Sequence, residues 1–468
     1  MVVKEQQRLV IGATSLAFLL LLASLSAVFF DVNPFESWNH KLSNWRGNGQ
    51  LISSSSSKKT NTTSIEEVND PIEFLLRRLV RGEDRIQLDN TGFSCHSDLH
   101  SDVCVVNKPV KIDKNASTVY ISSSQSQVER LIKPYALQDD QSAMKWVSPV
   151  RILKEDSKNS SSSMACQCDF THDVPAVVFS SGGFTGNHFH EIDEIIIPLF
   201  ITTRHFRSRL KFVITDFKPW WVSKYSKILK SLSRYEVINP AVNGSVHCFP
   251  ATVVGLKYHE YLGFNMTDIP GGYSMFDFRH FLRQSYGLKI KNVIKIRREK
   301  PVLMLLSREN SRVFLNENEM VALMEELGFE VVVIRPKRMS NLDNFAEVVN
   351  TCSVMVGAHG AGITNEVFLP DGAVVVQVVP LALEWPSTYY FGAPASEMRL
   401  HYLEYKIEPQ ESSLLETYGK NHSVITNPES VLSKGFQAFK DVYLDGQNLK
   451  INVGRFRETL VQAKKLIG

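Results

Sequence analysis

Ser353-Val-Met-Val-Gly-Ala-His-Gly-Ala-Gly-Ile-Thr-Asn365 is an apolar run that ends in Gly357-Ala-His-Gly-Ala-Gly362 and passes into a helical pattern. Strand, turn and helix in that order make one unit of a parallel α/β sheet. The turn has almost no side-chain bulk. It lets a diphosphate approach backbone N–H groups at a helix N-terminus, where the dipole also favours negative charge. His359 is a costly choice for a mere connection. Gly360, Ala361 and Gly362 would turn their amides, and Thr364 and Asn365 their side chains, to phosphate or ribose.

The same alternation extends outward in both directions. Pro301–Ser307, Glu330–Ile334, Val354–Val356 and Ala373–Val378 read as strands, with helices over 317–327, 345–351 and 454–466. Upstream, Ala176–Ser180 and Lys211–Thr215 read as strands. Glu191–Phe206 reads as a helix kinked near Pro198, and Met275–Tyr286 as a helix. Cys95–Val150 shows short alternating runs expected to be a few strands. The fold expected is α/β, with two domains facing a cleft: 91–290 on the acceptor side and 291–468 on the nucleotide side. In such sheets ligands lie at the carboxyl ends of the strands.

Two further clusters follow strands in the same manner. Ser307-Arg308 and Ser311-Arg312 offer two guanidinium forks suited to phosphate. Gly182-Gly-Phe-Thr-Gly-Asn-His188-Phe-His190-Glu191-Ile-Asp193-Glu194 places histidines at a helix start and carboxylates in its first turns. Acidic residues there complement the helix dipole. A histidine beside a carboxylate is also what a general base needs, a near-neutral pKa and a partner that orients the ring. Glu384-Trp385-Pro-Ser-Thr-Tyr-Tyr390 adds an aromatic surface, with Trp385 the candidate for stacking on a base or sugar. The chain has no Asp-x-Asp pair, no Walker lysine, no Gly-x-Ser-x-Gly elbow and no His-Glu-x-x-His helix. No metal site and no cofactor are expected; arginines and backbone amides would hold the diphosphate instead.

The remainder of the chain speaks to compartment. Of 468 residues, 52 are Lys or Arg and 49 Asp or Glu, a net charge of +3 that argues against a nucleic-acid binder. Leu9–Phe30 carries no charge, follows Lys4 and Arg8, and is long enough to span a bilayer at about 1.5 Å per residue. Ala23-Ser-Leu-Ser-Ala27 could mimic a signal-peptide cleavage site, but the long apolar core favours an uncleaved anchor. The expected order is a cytosolic tail (1–8), a transmembrane anchor (9–30), a stem (31–90) and a lumenal catalytic part. N-x-S/T sequons at Asn61, Asn115, Asn159, Asn243, Asn265 and Asn421 fit that topology. The six cysteines fit no zinc spacing; in an oxidising lumen disulfides are expected, with Cys95–Cys104 first.

Taken together, Gly182–Thr203 (GGFTGNHFHEIDEIIIPLFITT), Leu306–Asn316 (LSRENSRVFLN) and Met355–Pro380 (MVGAHGAGITNEVFLPDGAVVVQVVP) resemble glycosyltransferases of family 61. The resemblance covers the chain from about Cys95 to the C-terminus. It implies a GT-B fold of two Rossmann-like domains, with a UDP-sugar donor held mainly by the C-terminal domain. It further implies a Golgi membrane location and inverting transfer of xylose or arabinofuranose onto xylan. Other members of the resembled family act on N-glycans or protein O-glycans. In the plant pattern the helix reads His-Glu-Phe-Asn-Asp, whereas here it reads His190-Glu191-Ile192-Asp193-Glu194, one methylene longer at the last acid. His190 therefore ranks first as base, with Asp193 and Glu194 behind it. A glycoside hydrolase using Glu191 and Asp193 and a non-catalytic carbohydrate-binding scaffold are the competing readings.

Overall fold

Runs such as Val302-Leu-Met-Leu-Leu306 and Val374-Val-Val-Gln-Val-Val379 have no polar face, so a strand built from them must be covered on both sides. The computed structural model describes residues 70–121, 129–154, 167–240, 242, 244–296, 298–339 and 341–468. The anchor (9–30), the tail before it and most of the stem (31–69) lie outside the described residues, as do Asn61, Asn159 and Asn243. Among the described residues no helix is long and apolar enough to cross a membrane.

The strands in chain order are β1 (Phe93–Ser97), β2 (Asp102–Val106), β3 (Val110–Ile112), β4 (Thr118–Ile121), β5 (Glu129–Ile132), β6 (Val150–Lys154), β7 (Phe170–Thr171), β8 (Ala176–Ser180), β9 (Lys211–Thr215), β10 (His247–Phe249), β11 (Thr252–Val254), β12 (Val302–Leu306), β13 (Glu330–Ile334), β14 (Val354–Ala358), β15 (Val374–Val379) and β16 (His401–Lys406). One sheet is parallel throughout, ordered β13-β12-β14-β15-β16. Its three inner strands are wholly buried, as their sequences require, while β13 and β16 are partly exposed edges. Side chains alternate across it. Leu303, Leu305 and Val356 pack with Met320 and Leu323 of helix Glu317–Glu326 and Phe456 and Leu460 of helix Val453–Leu466. Met304 and Met355 face the opposite cluster with Leu342, Phe345 and Val349 of helix Leu342–Asn350.

A second sheet, β1-β2-β11-β8-β9, is parallel from β11 to β9 and antiparallel at β1 and β2. A third, mixed sheet, β5-β6-β4-β3-β10-β7, packs on one face of the second through Val178, Val254, Ile121 and Ile152. The early strands thus belong to two sheets rather than forming one lobe of their own. The ordered chain also starts before residue 91. Helices Ile72–Arg77 and Gly82–Thr91 bury Leu75, Leu76 and Leu88 in the main core. That core runs from Leu75 to Leu400, taking residues from both the parallel sheet and the second sheet, and 69–468 form one compact unit.

The helix expected after β8 begins earlier, at His188, with Asn187 capping Phe189 N–H. It continues through a π-helical turn, Ile192–Ile196, into Ile197–Thr203. Pro198 lacks an N–H, so the wider turn lies where an α-helical ladder would be broken anyway. The strand β16, whose half-exposed pattern hides its apolar residues, has no counterpart in the sequence reading.

Cys95 faces Cys104 across the β1/β2 pair and the two form a disulfide. Cys168–Cys248 is a second, closing a separation of 80 residues against 9 for the first. Chain-entropy arguments make the longer closure worth about 2 kcal/mol more than the shorter. Denaturant unfolding should show Cys168→Ser/Cys248→Ser losing roughly 3–5 kcal/mol and Cys95→Ser/Cys104→Ser clearly less. Equal losses would refute the loop-closure account.

Candidate active site

The loops that follow β8, β12, β14 and β15 carry every residue singled out in the sequence. After β14, Gly360 has φ +140°, and a Cβ on it would come within 2.7 Å of an Arg308 Nη and 3.3 Å of one from Arg312. The positive φ favours glycine there, and two guanidinium groups lie against the turn. Among the described backbone bonds, the N–H groups of Gly360, Ala361 and Gly362 donate to no carbonyl. The segment after them is a six-residue 3₁₀ turn, Ile363–Phe368, rather than the α-helix expected. A macrodipole therefore contributes little, and the positive field comes from side chains.

Those side chains are Arg308 and Arg312. Arg308 Nε donates to Ser311 carbonyl at 2.7 Å, and an Arg312 Nη donates to His359 carbonyl at 2.9 Å. Neither forms an ion pair with a carboxylate among the described residues, and Arg312 Nε, though buried, has no hydrogen-bond partner. Burial and the Arg308 charge push Arg312 down to about 9, with Asp445 pulling weakly the other way. Arg312 also holds φ +54°, a left-handed conformation costing about 1–2 kcal/mol for a side chain of this size. Its N–H is fixed by Gln447 carbonyl at 2.6 Å. Strain and unpaired like charges persist only where the surroundings impose them, and they mark a place prepared for an anion.

His359 is buried beside this pair, and desolvation with Arg312 and Arg308 holds its pKa at about 3. Its Nδ1 accepts from Gln377 Nε2 at 2.9 Å and lies 3.1 Å from Ser387 Oγ, which leaves the hydrogen on Nε2. With its pKa at about 3 and Nδ1 already accepting, the imidazole there can donate through Nε2 but is a poor base. Thr364 is buried and its hydroxyl lacks a partner among the described residues. Asn365 accepts from His188 Nε2 at 3.1 Å, tying the β14 loop to the β8 loop. Ser307 turns away, its hydroxyl accepting from Arg335 at 3.0 Å. Trp385 stacks on Tyr389 at 4.8 Å between ring centres.

On the helix after β8, Glu191 and, in the π turn that follows it, Asp193 and Glu194 are buried, each with separate partners. Glu191 meets Lys224, Tyr225 and Gly186 N–H and lies near His188; despite burial, these hold its pKa at about 2. Asp193 accepts from Leu262 N–H at 2.6 Å and Tyr258 hydroxyl at 3.1 Å. Burial and the Glu194 charge raise it to about 8, so it is protonated at neutral pH. Glu194 accepts from Tyr135 hydroxyl at 2.6 Å and, through its other oxygen, from His190 Nδ1. Burial would lower the His190 pKa, but the Glu194 charge and hydrogen bond outweigh it and the net direction is up. His190 is about a quarter exposed, with Nε2 the nitrogen left for a substrate.

Of these three carboxylates, only Glu194 orients a histidine in the form of a base. Glu191 and Asp193 face different partners and cannot flank one bond, which disposes of the paired-carboxylate arrangement. Tyr135 escapes sequence reading: it lies 59 residues before Glu194 with no motif around it. A Cβ on Gly183 would fall within 2.3 Å of its ring, the one local trace of it.

A family profile described as Glycosyltransferase 61 matches residues 170–376, a span holding both arginines, the glycine loop and the His190 helix. An alpha-1,3-arabinosyltransferase of Oryza sativa subsp. japonica is 38% identical over 375 residues, 78% of this chain and 63% of that relative. A xylan glycosyltransferase of Arabidopsis thaliana is 32% identical over 432 residues, 88% of this chain and 85% of the relative. The chain belongs to glycosyltransferase family 61. It is a transferase of that family. A beta-1,2-xylosyltransferase of Oryza sativa subsp. japonica is 36% identical over 343 residues, 72% of each chain. Against the first of these relatives the chain spans less than two thirds of the length. Trp385 falls beyond the profile match.

The roles predicted by this geometry separate by pH. With Tyr135→Phe, Glu194 loses a donor and holds the His190 proton more tightly. The acid limb of kcat/KM should move to higher pH, since a base must be deprotonated to work. Asp193→Asn, which keeps the neutral form, should change kcat/KM by less than about threefold, whereas Glu194→Gln should cost about 10²-fold or more. An unmoved acid limb in Tyr135→Phe would detach Tyr135 from the base.

Proposed function

We propose that this protein is a Golgi type II enzyme that moves a pentose, xylose or arabinofuranose, from a UDP-sugar onto xylan with inversion. The observation that carries the reading is the Arg308–Arg312 pair: two guanidinium groups against an amide-lined glycine turn, without a carboxylate partner among the described residues. A diphosphate supplies the charge this place lacks. The relatives' names supply xylan and the pentose. Two disulfides in the folded part, with exposed sequon residues Asn115, Asn265 and Asn421, support a lumenal setting.

In the step so proposed, His190 Nε2 takes the proton of an acceptor hydroxyl as its oxygen bonds to the donor C1. The bond from C1 to the diphosphate oxygen breaks, and its electron pair leaves on UDP. Arg308, Arg312, His359 Nε2–H and the Gly360–Gly362 amides meet the charge that grows there. Such preorganised donors commonly supply the largest part of a rate enhancement. No metal or cofactor is invoked. The short 182–191 loop and the His188–Asn365 bond keep base and anion site in one frame.

Full-length protein given xylo-oligosaccharide with UDP-xylose, UDP-arabinofuranose or UDP-GlcNAc should release UDP and add a pentose mass, unaffected by EDTA. Arg308→Ala or Arg312→Ala should lower kcat/KM by about 10²–10³-fold with the melting temperature retained. Gly360→Ala should act in the same direction by displacing the Arg308 fork. Transfer only of GlcNAc, or full activity in the arginine variants, would overturn the proposal.

A further inference from the structure

The β8 loop is held from two sides by segments that each end in an exposed tryptophan. On one side, the carbonyl of Trp146 lies where a Cβ on Gly182 would come within 2.2 Å, so only glycine fits beneath it. On the other, Lys218 donates to Thr185 hydroxyl at 2.8 Å, and Trp220 follows at the start of helix Pro219–Lys224. One carboxylate joins the two sides. Asp216 accepts from Ser148 N–H at 3.0 Å, Ser148 hydroxyl at 2.5 Å and Ser180 hydroxyl at 2.6 Å.

Trp146 is 69% exposed and Trp220 48%, and neither indole has a ring or hydrogen-bond partner among the described residues. The neighbouring Trp221 is fully buried in the core, so the helix already has its apolar anchor. Single exposed apolar residues need no explanation, but two indoles on backbones fixed to one carboxylate, beside the loop that leads to His190, form a built feature. Flat, exposed amphipathic rings suit the axial C–H faces of pyranose rings.

We infer that Trp146 and Trp220 form a ledge that binds the backbone of the acceptor, an extended chain of β-linked pyranose units, on either side of the β8 loop. The inference rests on the proposed glycan acceptor and concerns units away from the reacting one. A ledge of this kind makes affinity depend on chain length, because a short oligomer reaches the reacting position without lying on both rings.

Calorimetric titration of the full-length protein with xylohexaose, xylobiose, cellohexaose and UDP tests it. Xylohexaose should bind tighter than xylobiose. Trp146→Ala and Trp220→Ala should each weaken xylohexaose by about tenfold, Trp→Phe at either position should restore most of it, and UDP affinity should stay unchanged. Wild-type affinity for xylohexaose in both alanine variants, with UDP binding intact, would overturn the ledge and leave the donor-side reading standing. Binding of cellohexaose through both tryptophans without xylohexaose would keep the ledge and overturn xylan as acceptor. No binding of any hexaose by the wild type would overturn the ledge.

Discussion

Two positive charges held side by side with no ion-paired carboxylate among the described residues set the terms for the rest of this site. Arg308 and Arg312 repel each other, lie largely out of water, and press against the turn at Gly360, whose positive φ suits glycine. Buried like charges are costly unless something pairs with them. The fold opposes that cost with a stiff parallel sheet, whose buried β12 and β14 end at the two loops. Gln447 then locks the strained Arg312 backbone, and its side chain also bonds Ser412 and Leu381. The left-handed Arg312 and the neutral His359 are consequences of one requirement, a concentrated positive field with no ion-paired carboxylate among the described residues and Asp445 acting only at longer range.

The opposite wall follows a contrasting rule. Glu191, Asp193 and Glu194 are all buried, and the π turn lets three acids so close in sequence reach three unlike settings. Glu191 is paired with Lys224, Asp193 holds its own proton, and Glu194 accepts from His190 Nδ1. Only the last arrangement leaves a reactive nitrogen in partial contact with solvent. His188 then joins the walls through Asn365, while Phe189 packs on Phe391 and Phe391 on His359. Base and anion site are coupled through aromatic packing rather than by a flexible linker.

Much of this was legible in the chain. Strands with no polar face declare themselves, and so β8, β9, β12, β14 and β15 stand within a residue or two of their expected limits. The motifs at their carboxyl ends follow from the same logic. What escaped depends on tertiary partners. Tyr135 has no local mark, and the difference between a structural Glu191 and a base-orienting Glu194 lies in residues over thirty positions away. The helix after Gly362 is a short 3₁₀ turn whose residues are all buried, and the sequence pattern there does not tell a 3₁₀ turn from an α-helix. Strand β16 is an edge with a mixed face, the kind of strand that periodicity reads least well.

The central claim is that the arginine pair and the glycine turn exist for a diphosphate. Calorimetry of the full-length protein with UDP, UMP and uridine, in the presence of EDTA, addresses it without any acceptor. The account predicts UDP bound at least about tenfold tighter than UMP, with uridine weaker again and the UDP–UMP gap narrowing as salt rises. Equal affinities for UDP and UMP, or UDP binding only when a divalent metal is restored, would contradict it.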